Sequence, residues 1–529
     1  MKLTKEGILD RERWIESGIS LPEYNIEDMV SRTENSPEWV HFGAGNIFRG
    51  FIGSINQQLL NSGDAQTGII AVETFDYDII DMIYTPYDNL TLSVMMDADS
   101  NLNMEVLAGI AFGVKGNEFG RLSEIFEKES LKMVSYTITE KGYAIRGLNG
   151  EYLSAVAADM EKGPVSPAHA MSLTAALLYH RFKHGAFPVA IVSMDNCSHN
   201  GEKLGSAVRE IAHSWADNGK VEKEFLEYLD KKVSFPWSMI DKITPRPSEM
   251  VKEKLNAVGV ENLDTVITSK KTFIAPFVNA ETAQYLVIED DFPNGRPSLE
   301  KAGVYMTTRE TVNKSETMKV TTCLNPLHTA LAVYGCLLGY NAIWQEMRDN
   351  ELSKLVKRIA DEGIKVVVNP GIIDPKAFSN EVIEQRLPNP NIPDMPQRIA
   401  TDTSQKVGIR YGETIKAYMK SPSLDTSDLK AIPMAIAGWL RYLIGIDDSG
   451  KTFERSSDPM LEELSSRLSG VEYDKPDSVD GKLSSILSNK ELFGVDLYEA
   501  GLAERIELYL KMMLHGKDSV RKTLQTVID

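Results

Sequence analysis

Residues 38–51 read EWVHFGAGNIFRGF. The run EWVHF is short, apolar and rich in residues that suit a strand, and glycines follow it at once. A strand that ends in glycines and gives way to a helix is what a dinucleotide fold needs. Bare backbone allows a tight turn, and the first amides of the helix can face a pyrophosphate. Gly43 and Gly45 fill the first two positions of G-x-G-x-x-G, but the third is Phe48, so the fingerprint is incomplete. A second apolar run, TGIIAVET (67–74), ends in Glu73, where an acid can hydrogen-bond ribose hydroxyls and repel a 2′-phosphate. The same spacing also fits a nucleotide-free turn beside a solvated Glu73.

Outward from this turn the first half alternates strand and helix patterns. KMVSYTIT (132–139) and FPVAIVSMDN (187–196) repeat the apolar run, with helical patterns at 119–130 and 169–185. Such alternation predicts a mostly parallel sheet covered on both faces. The runs 89–99 and 102–114 have no helix between them and read as an antiparallel insertion in that sheet. The polar stretch EDDFPNGRPSLEKAG (289–303) reads as a junction. Beyond about residue 310 the pattern is helical, with KVVV (365–368) as the one short strand candidate. The expected fold is therefore an α/β N-terminal domain of Rossmann type (1–308), followed by an all-α C-terminal domain (309–529).

The chain has 529 residues and a net charge of -19, which argues against a non-specific nucleic-acid binder. Cys197, Cys323 and Cys336 lack C-x-x-C spacing, so neither a zinc site nor a disulfide framework is expected. No uncharged run approaches the roughly 20 residues of a membrane span. The segment MKLTKEGILDRERW has no signal-peptide core, so a cytoplasmic location is expected.

Among the eight histidines, His180 and His184 are spaced i, i+4, but no third ligand is evident near them and no metal is expected. His41 reads as a core residue, and His169 carries no signal. KVTTCLNPLH (319–328) is denser in chemistry. Asn325 followed by Pro326 predicts a helix start, with Asn325 as cap and His328 in the first turn. A lysine partly withdrawn from water near other donors can act as an acid/base, which makes Lys319 a candidate. A solvated lysine, a capping asparagine and a packed histidine fit the same residues. Segments 238–247, with Asp241, and 398–406, with Arg398 and Lys406, are rich in charge or polar groups and also fit ordinary surface loops.

Taken in order, eight segments resemble the mannitol dehydrogenase family of long-chain polyol and hexonate dehydrogenases. They are VHFGAGNIFRGF, TITEKGY (137–143), VSMDN-x-x-x-NG (192–201), FPWSMIDKITP (235–245), LVIEDDFPNGRP (286–297), E-x-x-K (316–319), LN-x-x-H (324–328) and RIATDTSQK (398–406). The resemblance implies metal-independent, nicotinamide-dependent oxidation of a secondary alcohol, with NAD expected over NADP. It implies Lys319 as acid/base, Glu316 as its proton relay, and Asn325 and His328 on the reacting oxygen. Asn196, Asp241, Arg398 and Lys406 would bind substrate. Gly43, Gly45, Asn46, Ile47, Phe48, Arg49 and Glu73 would bind the cofactor. The wording CLNPLHTALAVYG is most like members acting on fructuronate and mannonate. Mannitol and tagaturonate/altronate are the alternatives, and a nucleotide-sensing protein without catalysis is a remote one. A small-molecule partner and a monomer or homodimer are expected. One residue more separates Lys319 from Asn325 than in the familiar polyol members, so a bulge or loop must absorb it.

Overall fold

The computed structural model describes residues 1–99, 101–147 and 149–528. The chain forms two compact units, Met1–Met96 with Asn101–Asn313, and Asp97–Ser100 with Lys314–Asp529.

The main sheet of the first unit has six strands: β1 (Trp39–Phe42), β2 (Ile69–Glu73), β3 (Ile110–Lys115), β4 (Met133–Tyr136), β5 (Val189–Ser193) and β6 (Val233–Ser234). Their order is β3-β2-β1-β4-β5-β6 and every pairing is parallel. This is the order of the doubly wound dinucleotide fold, whose crevice opens at the carboxyl ends of β1 and β4. The strands read as continuous apolar runs because both faces are covered. Val40, Phe42, Val72, Val134 and Ile191 pack on one side, and Trp39, Ile69, Ala71, Met133 and Val192 on the other.

The helices of this unit include α1 (Gly53–Asn61), α2 (Phe119–Phe126), α3 (Ala170–Lys183) and α4 (Asn200–Asp217). His169 caps α3, its Nδ1 accepting from the amide of Met171 at 3.2 Å, a use its sequence context did not signal.

The expected antiparallel insertion is corrected in one respect. Thr91–Met96 and Leu102–Leu107 do pair antiparallel, but they lie in a separate four-stranded sheet with Ile19–Ser20 and Phe277–Glu281. The remainder of that run, β3, returns to the main sheet in parallel. A third sheet joins Ser238–Asp241, Tyr285–Glu289 and Tyr305–Thr307.

Through α5 (Arg309–Met318) the chain enters the second unit, which is helical. Its centre is α6 (Asn325–Leu338), against which α7 (Asn350–Ile364) and α8 (Ala431–Leu443) pack. Leu327, Leu331, Tyr334 and Leu337 of α6 are buried, each contributing about 1.5–3 kcal/mol of apolar burial. Tyr334 also donates to Met434 O at 2.8 Å. The strand expected at 365–368 does not form. Those residues finish the turn after α7, with Val366 N bonded to Gly363 O at 3.0 Å, and a helical unit offers them no strand to pair with. Among the described residues no helix is long and apolar enough to cross a membrane. None of the three cysteines is in a disulfide.

Candidate active site

The candidate cofactor residues lie in the first unit, at the carboxyl ends of β1 and β2. Gly43 has φ +102°, and a Cβ there would stand 2.1 Å from Thr137 O, so only glycine fits. Gly45 is different: a Cβ there would meet nothing within 4 Å. Its bare backbone faces open space at the start of a helical turn that begins at Asn46. The amides of a helix start lack intrahelical partners, so Gly45, Asn46 and Ile47, all half-buried, suit a phosphate-bearing ligand.

The other expected cofactor residues serve the turn itself. Phe48 is buried and stacks on His41 with ring centroids 4.1 Å apart. His41 is a core histidine, as its sequence context suggested. Its nitrogens meet Ser135 Oγ at 2.6 Å and Thr137 Oγ1 at 2.8 Å, and burial holds it well below the usual imidazole range. Arg49 is buried, donates to Ala275 O at 2.8 Å and Thr91 Oγ1 at 3.2 Å, and is pushed down to about 10 by desolvation. Glu73 accepts from Ala44 N at 3.0 Å on one oxygen, and from Phe75 N at 2.8 Å and Asp76 N at 3.1 Å on the other. It therefore ties the end of β2 to the glycine turn.

The segments TITEKGY and VSMDN meet through Asp195, which sequence reasoning passed over. Its carboxylate accepts from Ile138 N at 2.8 Å, Thr139 N at 3.0 Å and Tyr143 Oη at 2.6 Å. Burial raises its pKa against the pull of those donors. Asn200 in turn fixes the following strand: its amide nitrogen donates to Asp195 O and Ser238 O, both at 3.0 Å, and its oxygen accepts from Ser238 N at 3.0 Å. Asn196 thus follows β5 on a pinned loop, and Asp241 ends a strand that the same asparagine holds.

The second unit carries the acid/base candidates. Lys319 is 1% exposed. It opens a π-helical turn, Lys319–Cys323, in which Leu324 N bonds to Lys319 O at 3.2 Å. A π turn holds one more residue than an α turn, and this one lies between Lys319 and Asn325. Asn325 is not the cap. Leu324 holds that position, and Asn325 is the first residue of α6 and makes no capping bond. The reason is the π turn, which runs to Cys323 and leaves Leu324, at φ -130° and ψ -61°, between it and α6. Asn325 and His328 are half-buried on the first turn of α6, and Glu316 is half-buried one turn before Lys319.

His328 Nε2 lies 3.3 Å from Asp394 Oδ2, within ion-pair distance but without the alignment of a hydrogen bond. Arg398 donates to the other oxygen of Asp394. Nothing in the spacing of the sequence foretold Asp394. Lys406 donates to the carbonyls of Thr401 and Ile399, folding its own segment into a loop. Burial lowers its pKa, helped by Arg410. Arg410 in turn donates to Thr329 Oγ1, which donates to Asn325 O at 2.9 Å. The second unit thus brings His328, Asp394 and Arg398 together and braces the start of α6.

Burial works to raise the Asp394 pKa, but the nearby His328 and Arg398, the latter through its hydrogen bond, outweigh it and hold the carboxyl low. A carboxyl that is lower in the folded chain stabilises the fold above its unfolded value of about 3.9, and that contribution fades as pH falls through the folded value. Urea unfolding should therefore show the wild type ahead of Asp394→Asn at neutral pH, with the gap closing in acid.

The comparisons with known proteins agree with this architecture. Residues 37–301 match the model of the mannitol dehydrogenase Rossmann domain, and residues 311–514 that of the mannitol dehydrogenase C-terminal domain. A D-mannonate oxidoreductase of Thermotoga maritima is 54% identical over 534 aligned residues, covering 100% of this chain and 99% of the relative. A mannitol 2-dehydrogenase of Emericella nidulans is 27% identical over 93% of each chain. Among solved structures, mannitol 2-dehydrogenase of Pseudomonas fluorescens, in a ternary complex with NAD and D-mannitol, is similar with a TM-score of 0.70. Its identity is 25%, over 100% of this chain and 99% of that one. A substrate-free D-sorbitol dehydrogenase gives a TM-score of 0.78 at 25% identity, over 97% and 98% of the two chains. The chain belongs to the mannitol dehydrogenase family and is an oxidoreductase with its Rossmann and helical C-terminal domains.

Proposed function

We propose that the protein interconverts D-mannonate and D-fructuronate with NAD. The observation that carries this is the end-to-end 54% identity to a relative named D-mannonate oxidoreductase. The domains read as nucleotide binding (1–308) and substrate and catalysis (309–529).

NAD would supply the hydride acceptor for the hydroxyl-bearing carbon of mannonate and, reduced, the hydride for the ketone of fructuronate. Lys319 takes the hydroxyl proton in oxidation and gives it back in reduction, with Glu316 relaying it. Asn325 and His328 donate hydrogen bonds to the oxygen as charge gathers there, and Asp394 orients the histidine ring. Arg398 and Lys406 are the cations for the carboxylate that distinguishes a hexonate from a polyol. Asn196 and Asp241 hold substrate hydroxyls. Gly45, Asn46 and Ile47 offer the nucleotide their backbone, while Phe48 and Arg49 hold the turn in shape. Glu73, an acid at the end of β2, opposes a 2′-phosphate and so favours NAD over NADP.

A substrate panel tests this reading. D-mannonate, D-altronate, D-mannitol and D-arabinitol are each supplied with NAD and with NADP, and reduced nucleotide is followed. Turnover should be fastest with D-mannonate and NAD. Turnover of D-mannitol or D-altronate with none of D-mannonate would overturn the assignment in favour of mannitol 2-dehydrogenase or tagaturonate reductase.

A further inference from the structure

His180 and His184 do have a third potential ligand, contrary to the sequence reading. Glu127 follows the last residue of α2, and the packing of α2 against α3 sets it over the two histidines. Its Oε1 lies 2.5 Å from His180 Nε2 and 3.7 Å from His184 Nε2. One ligand atom from each of the three residues falls within 4.8 Å of the others. The two rings lie side by side, with centroids 4.2 Å apart.

We propose that Glu127, His180 and His184 bind one divalent transition-metal ion of the kind that favours imidazole and carboxylate, such as Zn²⁺, Ni²⁺ or Cu²⁺. Two further features fit ligation. His184 Nδ1 lies 2.9 Å from His180 O. A carbonyl only accepts, so Nδ1 carries the hydrogen and Nε2 presents its lone pair toward Glu127. This is the backbone bond that typically orients a metal-binding imidazole. The backbone on either side of Glu127 is also clamped to the helix bearing both histidines. Arg181, fully buried between them, donates from Nη1 to Phe126 O and Lys128 O, both at 2.7 Å. The same guanidinium reaches Leu131 O at 3.0 Å and Phe187 O at 2.8 Å.

Tetrahedral zinc sets its nitrogen and oxygen ligands about 3.3 Å apart, given bonds of about 2.0–2.1 Å. Small side-chain rotations reach that spacing from the distances present. The three side chains are partly exposed, so an ion can enter from solvent and keep a water as fourth ligand. Lys183, lying between the histidines in sequence, pairs with Glu222. The ion would pin the end of α2 to the end of α3. It is a clip within the first unit and takes no part in the oxidation chemistry.

The test is calorimetric titration of the full-length, chelator-treated protein with Zn²⁺ and, in parallel, Mg²⁺. One Zn²⁺ should bind per chain and Mg²⁺ should not. Zn²⁺ should also raise the Tm of the wild type. His184→Gln and Glu127→Gln should each weaken binding by at least about tenfold, abolish the Tm rise, and leave turnover of D-mannonate unchanged. Absence of saturable binding at millimolar Zn²⁺ would overturn the proposal. So would binding that both variants retain in full, because the ion would then sit elsewhere.

Discussion

Lys319→Ala should lower kcat for D-mannonate by about 10³-fold, within the 10²–10⁴-fold that a positioned general acid/base supplies. The lysine is buried at the first position of a π turn, so its position is set by the helix backbone. NAD binding, measured by fluorescence titration, should stay within about twofold of wild type, because the glycine turn belongs to the other unit. KM should change less than kcat, since proton transfer matters in the transition state more than in the ground state. A variant with wild-type kcat would remove Lys319 from the mechanism. Loss of NAD binding together with kcat would instead point to a folding defect.

Gly43→Ala should cost of the order of 3 kcal/mol of stability and weaken NAD binding at least tenfold. The positive φ alone costs a non-glycine residue about 1–3 kcal/mol. The added Cβ would also collide with Thr137 O at 2.1 Å, a backbone atom tied into the sheet by the bond from Thr137 N to Phe42 O. Relief requires moving the carboxyl end of β1 away from β4, which opens the crevice where the nucleotide is expected. Gly45→Ala is the informative control. Its Cβ meets no protein atom, so stability should hold within about 0.5 kcal/mol, and any loss should appear in NAD binding alone. Urea unfolding and nucleotide titration of the two variants would separate a steric role from a ligand-facing one.

What the sequence made legible was local. EWVHFGAG announced β1 and its turn because strand propensity and glycine act over a few residues. The parallel order followed from alternation, since strands covered on both faces must be apolar throughout. A bulge or loop was expected before Asn325, and a π turn lies there.

The misses share a cause in packing between distant segments. KVVV has strand composition, but the helical unit gives it no partner. Asn325 has cap chemistry, but the π turn from Lys319 ends at Cys323 and leaves Leu324 in the cap position. Arg49 follows the glycine turn, and its guanidinium turns inward to the carbonyl of Ala275 across 226 residues of chain. Asp394 stands against His328, and Glu127 against His180, across 66 and 53 residues of chain. No periodicity reports contacts at that range.

In the proposed mechanism Lys319 moves the proton of the reacting hydroxyl. The most direct measurement is the single-turnover rate of NADH formation from D-mannonate as a function of pH, in wild type and Lys319→Ala. The wild-type rate should climb with pH to a plateau, as expected of a reaction with a general base. The variant should be slow and lack that plateau, its rate rising only with hydroxide. A variant that keeps the wild-type profile, plateau included, would exclude Lys319 as the group that moves this proton.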